Sequence, residues 1–330
     1  MNKLSALKNL FVFIISISIF SCGSDDSESN IPNDDSILAD YIANIGSIKD
    51  FSINANNEIY YIHTGNSDGG VNLSIRKMSN TGDITVLDEL DFSLFGNEMG
   101  ITNSGDENIY YVTDSHNEGN KVHIYSVNSS SSSTYSMTPI SSPFVGPIRM
   151  SAIENFGDET YITFDYSALG LRRYFPNLET DMIIAGSGDS SITDGTGLNA
   201  SFKFVTKILS TNEIIYVIDD SNNLRKIEKT GNEFNVTTVI SDYTNSFNDI
   251  AVDKNGNILV LVDNKGIYKL NISNNSLEEY LTGEIKLKDS NNGSYGTEWG
   301  GVDKFLIKKN DIFLYSSQKF IKISDFETKI

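Results

Sequence analysis

The sequence predicts an all-β fold, a six-bladed β-propeller whose last blade is closed by the N-terminal strand. Three observations predict it. One strand-like segment recurs six times within residues 37–330. The recurrences lie about 50 residues apart. The two ends of that region each carry part of one unit.

The recurring segment reads "NEIYYIHTGNS", "ENIYYVTDSHN", "DETYITFDYSA", "NEIIYVIDDSN", "GNILVLVDNKG" and "NDIFLYSSQKF". Each copy is a polar turn, then β-branched and aromatic residues, then a polar break, which is a strand signature. No segment after the leader shows an apolar period of 3.6 residues with caps, so helices are not expected. Aligned on the strand end, the copies place Thr64, Asp114, Asp165, Asp219, Asp263 and Ser317 in one column, with gaps of 50, 51, 54, 44 and 54 residues. Several short strands per unit at that period are the mark of a propeller.

Each unit fills out as four strands. The fourth reads "FVTKILS", "IIYVIDD", "LRKIEKT" and "NVTTVIS"; the fifth reads "FNDIAVD", "NILVLVD", "GIYKLNI" and "LEEYLTG". The last unit has three strands, "KFLIKK", "DIFLYSS" and "FIKISDF", and lacks a fourth. The N-terminal "LADYIANIG" is similar to fourth strands elsewhere, such as "TDMIIAGSG", and is expected to complete that blade. Such closure leaves no open sheet edge at the seam.

The leader is a separate element. Lys3 and Lys8 precede an apolar run from Leu10 to Phe20. Eleven residues of helix rise about 16 Å, too short for a hydrocarbon core of ~30 Å. Residues 1–21 therefore read as a signal peptide. The run ends in "IFSC", and Cys22 is the only cysteine. This resembles the bacterial lipobox, whose cysteine is lipidated; Phe20 is bulkier than that pattern favours. One cysteine also excludes an intramolecular disulfide. Residues 22–36, "CGSDDSESNIPNDDS", are acidic and poor in apolar residues, as expected of a disordered tether. Acidic residues just behind the lipidated cysteine are similar to the surface-export signal of Bacteroidota lipoproteins. The expected location is the outer membrane, held by lipid alone, on the cell surface.

Composition excludes one class of partner. The formal net charge is −19, from 44 acidic and 25 basic residues. Nucleic-acid binding requires a basic stripe, and none is present.

Units four and five resemble the NHL-repeat family. The resemblance runs through "AGSGDSSITDGTGLNASF", residues 185 to 202, the strand ending at Asp219, and "NNLRKI". Val205 departs from it, since a proline is usual after the phenylalanine. The resemblance implies a six-bladed propeller and no particular reaction. The glycine-rich stretch has neither a Walker lysine nor a following helix, so it is a connector between blades and not a phosphate loop.

The candidate sites are few. The aspartate column is expected to accept backbone N–H bonds in the turns that follow it. "DKNGNILV" has Gly256 at the fourth position and no glutamate at the twelfth, so it is a hairpin turn and not an EF-hand loop. Histidines are scarce: His116 and His123, seven apart, could approach each other across a turn, but with His63 and no free thiol they do not supply the three or four ligands of a zinc site. The serines from Ser129 to Ser133 are expected to form a flexible loop. Phe95, Phe144, Phe202, Phe247 and Trp299 fall in the connectors and are expected to wedge adjacent blades. Trp299, the only tryptophan, stands with Tyr295 in the glycine-rich "NNGSYGTEWGGVD", so these two are the candidate ligand-binding pair. No catalytic residue, metal ligand or cofactor is assigned.

The leading function is a binding module that presents loops to a protein or glycan at the cell surface, with an outer-membrane barrel complex among the partners. The alternatives are a metal-dependent propeller hydrolase or lyase, and a structural subunit of an outer-membrane protein complex.

Overall fold

A computed structural model describes residues 37–54, 56, 58–67, 70–79, 81–90, 99–103, 108–113, 121–136, 150–157, 160–166, 168–211, 213–288, 294–297 and 299–326. The leader, Cys22 and the tether lie outside them, as do Phe95, Asp114, His116 and Phe144.

The described chain opens with β1 (Ile37–Asn44). Blade one follows as β2 (Ser47–Ile53), β3 (Ile59–Ser67), β4 (Gly70–Met78) and β5 (Ile84–Leu90). Blade two is β6 (Met99–Asn103), β7 (Asn108–Thr113), β8 (Lys121–Ser126) and β9 (Ser131–Ser136). Blade three is β10 (Met150–Asn155), β11 (Tyr161–Asp165), β12 (Gly170–Phe175) and β13 (Thr180–Ala185). The two-residue β14 (Gly195–Thr196) leads into blade four, formed by β15 (Val205–Thr211), β16 (Ile214–Asp219), β17 (Asn223–Thr230) and β18 (Glu233–Ile240). Blade five is β19 (Phe247–Val252), β20 (Ile258–Val262), β21 (Gly266–Asn271) and β22 (Ser276–Leu281). A hairpin of β23 (Ile285–Lys288) and β24 (Ser294–Thr297) precedes β25 (Val302–Lys308), β26 (Asp311–Ser316) and β27 (Lys319–Ile323) of blade six.

Each blade is an antiparallel meander, with its first strand innermost. The six inner strands, β2, β6, β10, β15, β19 and β25, lie side by side, and β25 returns to β2. The ring is thus a six-bladed β-propeller. β1 supplies the fourth strand of blade six, pairing antiparallel with β27 through Asp40 with Lys322 and Asn44 with Lys319. By that register Ile37 lies at the end of the blade where β25 finishes at Lys308.

Two additions extend the four-strand plan. β14 pairs with β18, the outer strand of the blade it leads into. β23 pairs parallel with β1 and antiparallel with β24, making blade six a six-stranded sheet. In both cases the connector entering a blade runs along that blade's outer edge. A second difference lies in the serine run. Ser131–Ser136 is a strand, the outermost of blade two, and the turn holds only the residues before it. Most of its side chains are exposed, so a polar sequence suffices once β8 supplies the ladder.

The core explains the apolar second strands. Every residue of β11 and β20 is buried, because each blade is covered on both faces by its neighbours. Among the described residues the buried hydrophobics form six clusters, one at each interface between consecutive blades. Phe202 lies in the cluster between blades three and four, Phe247 between four and five, and Trp299 between five and six. These are the wedge positions expected from the connectors.

Candidate functional site: the central channel

The inner strands place the functional geometry. Five of the six carry a register shift near their start, between Ile48 and Phe51, Met150 and Ile153, Val205 and Lys207, Phe247 and Asp249, and Val302 and Lys304. A bulge re-aims the side chains around it. The third residue of each described inner run, counted from Ile48, Met99, Met150, Val205, Phe247 and Val302, then forms one layer. That layer is Asp50, Ile101, Ala152, Lys207, Asp249 and Lys304. Two residues further along, on the same side of each strand, the next layer is Ser52, Asn103, Glu154, Leu209, Ala251 and Leu306. Both layers, Lys304 excepted, line a cavity of about 320 Å³ bounded by all six blades.

The first layer is an ion-pair network across the channel. Lys207 Nζ lies 2.7 Å from Asp50 Oδ1 and 3.4 Å from Asp249 Oδ1, and Lys304 Nζ lies 3.2 Å from Asp50 Oδ1. The second oxygen of each aspartate fastens neighbouring blades. Asp50 Oδ2 accepts from Ile101 N at 3.2 Å, and Asp249 Oδ2 accepts from Phe305 N at 2.9 Å. Burial raises both carboxyls; the charges of Lys207 and Lys304 outweigh it at Asp50, which is held low, and do not at Asp249, which stays high. Burial works against the Lys207 ammonium, but Asp249 and Asp50 raise its pKa. Lys304 is lowered, by burial and by Lys207 beside it.

The second layer is divided. Blades one to three contribute Ser52, Asn103 and Glu154; blades four to six contribute Leu209, Ala251 and Leu306. Asn103 Nδ2 donates to Ser52 Oγ at 2.9 Å. No described group hydrogen-bonds the Glu154 carboxyl. Burial, then the charge of Asp50, pushes it up to about 8, with Lys207 opposing and Asp249 adding to the rise. The cavity therefore has one polar wall, one apolar wall and a charged floor. A divalent cation does not fit this set, because both floor aspartates are paired with ammonium groups. Among the described residues no group of three or more acidic, histidine or cysteine side chains forms a metal site.

The residues singled out in the sequence fall elsewhere. Trp299 is 6 % exposed, and its Nε1–H donates to Gly283 O at 2.9 Å. Its ring packs between blades and presents no face to a ligand, so it is the larger wedge. Tyr295 lies in β24 opposite Leu287. His123 is buried and stacks on Tyr111, with ring centroids 4.7 Å apart. In "DKNG", Asp253 Oδ1 accepts from Asn255 N and Asn257 N, both at 2.8 Å, and Gly256 takes φ +81° in a hairpin turn.

Two members of the aspartate column, Asp165 and Asp219, are structural, and Asp219 faces a different segment from the turn that follows it. Asp165 Oδ1 accepts from Ala168 N at 3.2 Å, in the turn after its strand. Asp219 Oδ1 instead accepts from Lys203 N at 3.0 Å and Phe204 N at 2.8 Å, in the connector before its blade. Each also pairs with a buried arginine on the next strand, Asp165 with Arg172 at 2.7 Å and Asp219 with Arg225 at 3.2 Å. Arg225 binds the glycine-rich connector through Ser201 O, Thr193 O at 2.8 Å and Asp194 Oδ1 at 3.1 Å.

No family model matches the chain, and no curated protein sequence matches it. Solved structures do. One is described as the extracellular domain of a hybrid two-component system from B. thetaiotaomicron, with 14% identity and a TM-score of 0.53 over 87% of this chain. This chain spans only 40% of that one. Virginiamycin B lyase from Staphylococcus aureus has 10% identity and a TM-score of 0.55, covering 86% of this chain and 96% of its own. A Bacteroides thetaiotaomicron protein of unknown function has 12% identity and a TM-score of 0.56, covering 86% and 71%. At these identities the likeness is one of fold.

The channel residues did carry a signal. A charged residue stands third in four otherwise largely apolar inner strands, at Asp50, Lys207, Asp249 and Lys304. Aligning the inner strands, instead of the second strands, brings that column into view.

Proposed function

We propose that the protein is a lipid-anchored binding module of the outer membrane, displayed on the cell surface, whose rigid ring holds a protein or glycan. One observation carries the binding reading. The channel cavity is lined by strands from all six blades, and its second layer sets polar groups opposite apolar ones. A concave site with a few convergent polar groups is the usual form of a ligand pocket. The similar two-component-system domain is extracellular, which supports a surface location. The lipobox-like "IFSC" with Cys22, the acidic tether and the NHL-like units support the anchor and the family reading.

The alternative of a metal-dependent hydrolase or lyase has no supporting cluster among the described residues. The test is surface labelling and membrane fractionation of cells carrying the wild-type chain or Cys22→Ala, with affinity capture from the same membranes. The proposal expects labelling of intact cells, loss of membrane retention in Cys22→Ala, and a captured protein or glycan. Unchanged membrane retention in Cys22→Ala contradicts the anchor.

A further inference from the structure

We propose that the channel cavity binds a neutral, polyhydroxylated ring, a sugar, between the polar wall of Ser52, Asn103 and Glu154 and the apolar wall of Leu209 and Leu306. The inference rests on the binding-module reading and names the chemistry of its site.

Both oxygens of Asp50 and both of Asp249 are already engaged by lysines and backbone N–H groups. Two capacities remain. Ser52 Oγ accepts from Asn103 Nδ2, and no described group takes the Ser52 hydroxyl proton. The Glu154 carboxyl faces the cavity with no described hydrogen-bond partner. The unused groups are thus a hydroxyl donor and a carboxyl on one wall, a pattern that hydroxyls satisfy because each both donates and accepts.

Charge selects against ions. With Glu154 protonated, two lysines and two aspartates leave the channel neutral. A bound anion would meet Asp50 and Asp249 beside the lysine it pairs with. A bound cation would meet Lys207 and Lys304. Each carries a like-charge penalty in a site of reduced dielectric. The walls agree with a sugar ring, which has a hydroxyl-rich edge and a C–H face. Glu154 and Asn103 meet the edge, and Leu209 and Leu306 meet the face.

The test uses the full chain in detergent and saturation-transfer NMR with glucose, galactose, mannose and N-acetylglucosamine, beside glucosamine and glucuronate as charged counterparts. At least one neutral sugar is expected to bind, with both charged sugars weaker by about tenfold or more. Glu154→Leu is expected to weaken that sugar by about tenfold, while Glu154→Gln, which keeps a donor and an acceptor, stays within about threefold. Melting curves of both variants check that the ring is intact. Failure of every neutral sugar to bind overturns the proposal, as does tighter binding of a charged one. Undiminished binding in folded Glu154→Leu also overturns it, and then leaves the surface-module reading standing with its ligand elsewhere. Absence of surface labelling removes that reading whatever the sugars do.

Discussion

Replacing Arg225 with leucine should loosen the connector that leads into blade four. Arg225 is fully buried and joins Asp219 to Thr193, Asp194 and Ser201, with its guanidinium 4.8 Å from the Phe202 ring centroid. Leucine removes the cation and leaves Asp219 buried. Breaking one side of a buried pair costs about 3–5 kcal/mol. Two effects limit the loss: Asp219 keeps its N–H donors from Lys203 and Phe204, and burial already raises its pKa, so the stranded carboxyl can take up a proton. A cost of about 4 kcal/mol lowers the melting temperature by roughly 10 °C in a domain of this size. The loss should be smaller at pH 5 than at pH 8, because protonating Asp219 relieves it. Asp219→Asn in the Arg225→Leu background should recover part of the stability, since the amide oxygen still accepts both N–H groups. Thermal melts of the four proteins of that cycle, with limited proteolysis of residues 186–201, measure this. A melting temperature within about 2 °C of wild type for Arg225→Leu, or purely additive effects in the cycle, refutes the clamp.

Four further outcomes follow from the same packing. Glu154, pushed up to about 8, holds a proton that the unfolded chain releases near 4.5, so its stabilising contribution is full below 4.5 and is lost as pH rises through 8. Glu154→Gln should therefore gain on wild type by about 1.4 kcal/mol per pH unit across that window, read from urea melts at pH 5 and pH 8. His63 shows the opposite sign. Burial and then Arg76 lower it to about 4, so its contribution is present above 6.5 and lost as pH falls toward 4, and His63→Gln should flatten the acid limb of the same profile. Deleting residues 37–44 removes the fourth strand of blade six and uncovers β27, and should abolish the single cooperative unfolding transition seen by circular dichroism. The lone Trp299 should resist acrylamide quenching in the folded protein and become accessible in urea, and Trp299→Ala should cost about 3–5 kcal/mol without altering sugar binding.

Much of the ring was legible because its signals are local. A buried second strand such as "ILVLV" is covered on both faces and must be apolar throughout, so it stands out in the sequence. Closure by β1 could be read from the missing fourth strand, and the wedge role of Phe202 and Phe247 from their place in the connectors. The β23–β24 hairpin was not legible, since "IKLK" and "SYGT" are short, and "IKLK" gains its meaning from pairing with β1, almost 250 residues away. The serines from Ser129 to Ser133 read as a loop because the strand at Ser131–Ser136 takes its order from β8 and not from its own side chains. Trp299 looked like a display residue because rarity and glycine-rich neighbours carry no information about burial.

The channel was hidden for a related reason. Each blade contributes one residue per layer, so the site is assembled from positions 42 to 55 residues apart along the chain. The pairing of Lys207 with Asp50 and the isolation of Glu154 emerge only when the ring closes.

The most direct test of the binding site is the carboxyl carbon-13 NMR titration of Glu154, assigned by comparison with Glu154→Gln, with and without the neutral sugar that binds. A midpoint near 8 that moves when the sugar is added agrees with a lone channel carboxyl that meets the ligand. A midpoint at the ordinary value near 4.5, unmoved by the sugar, contradicts it.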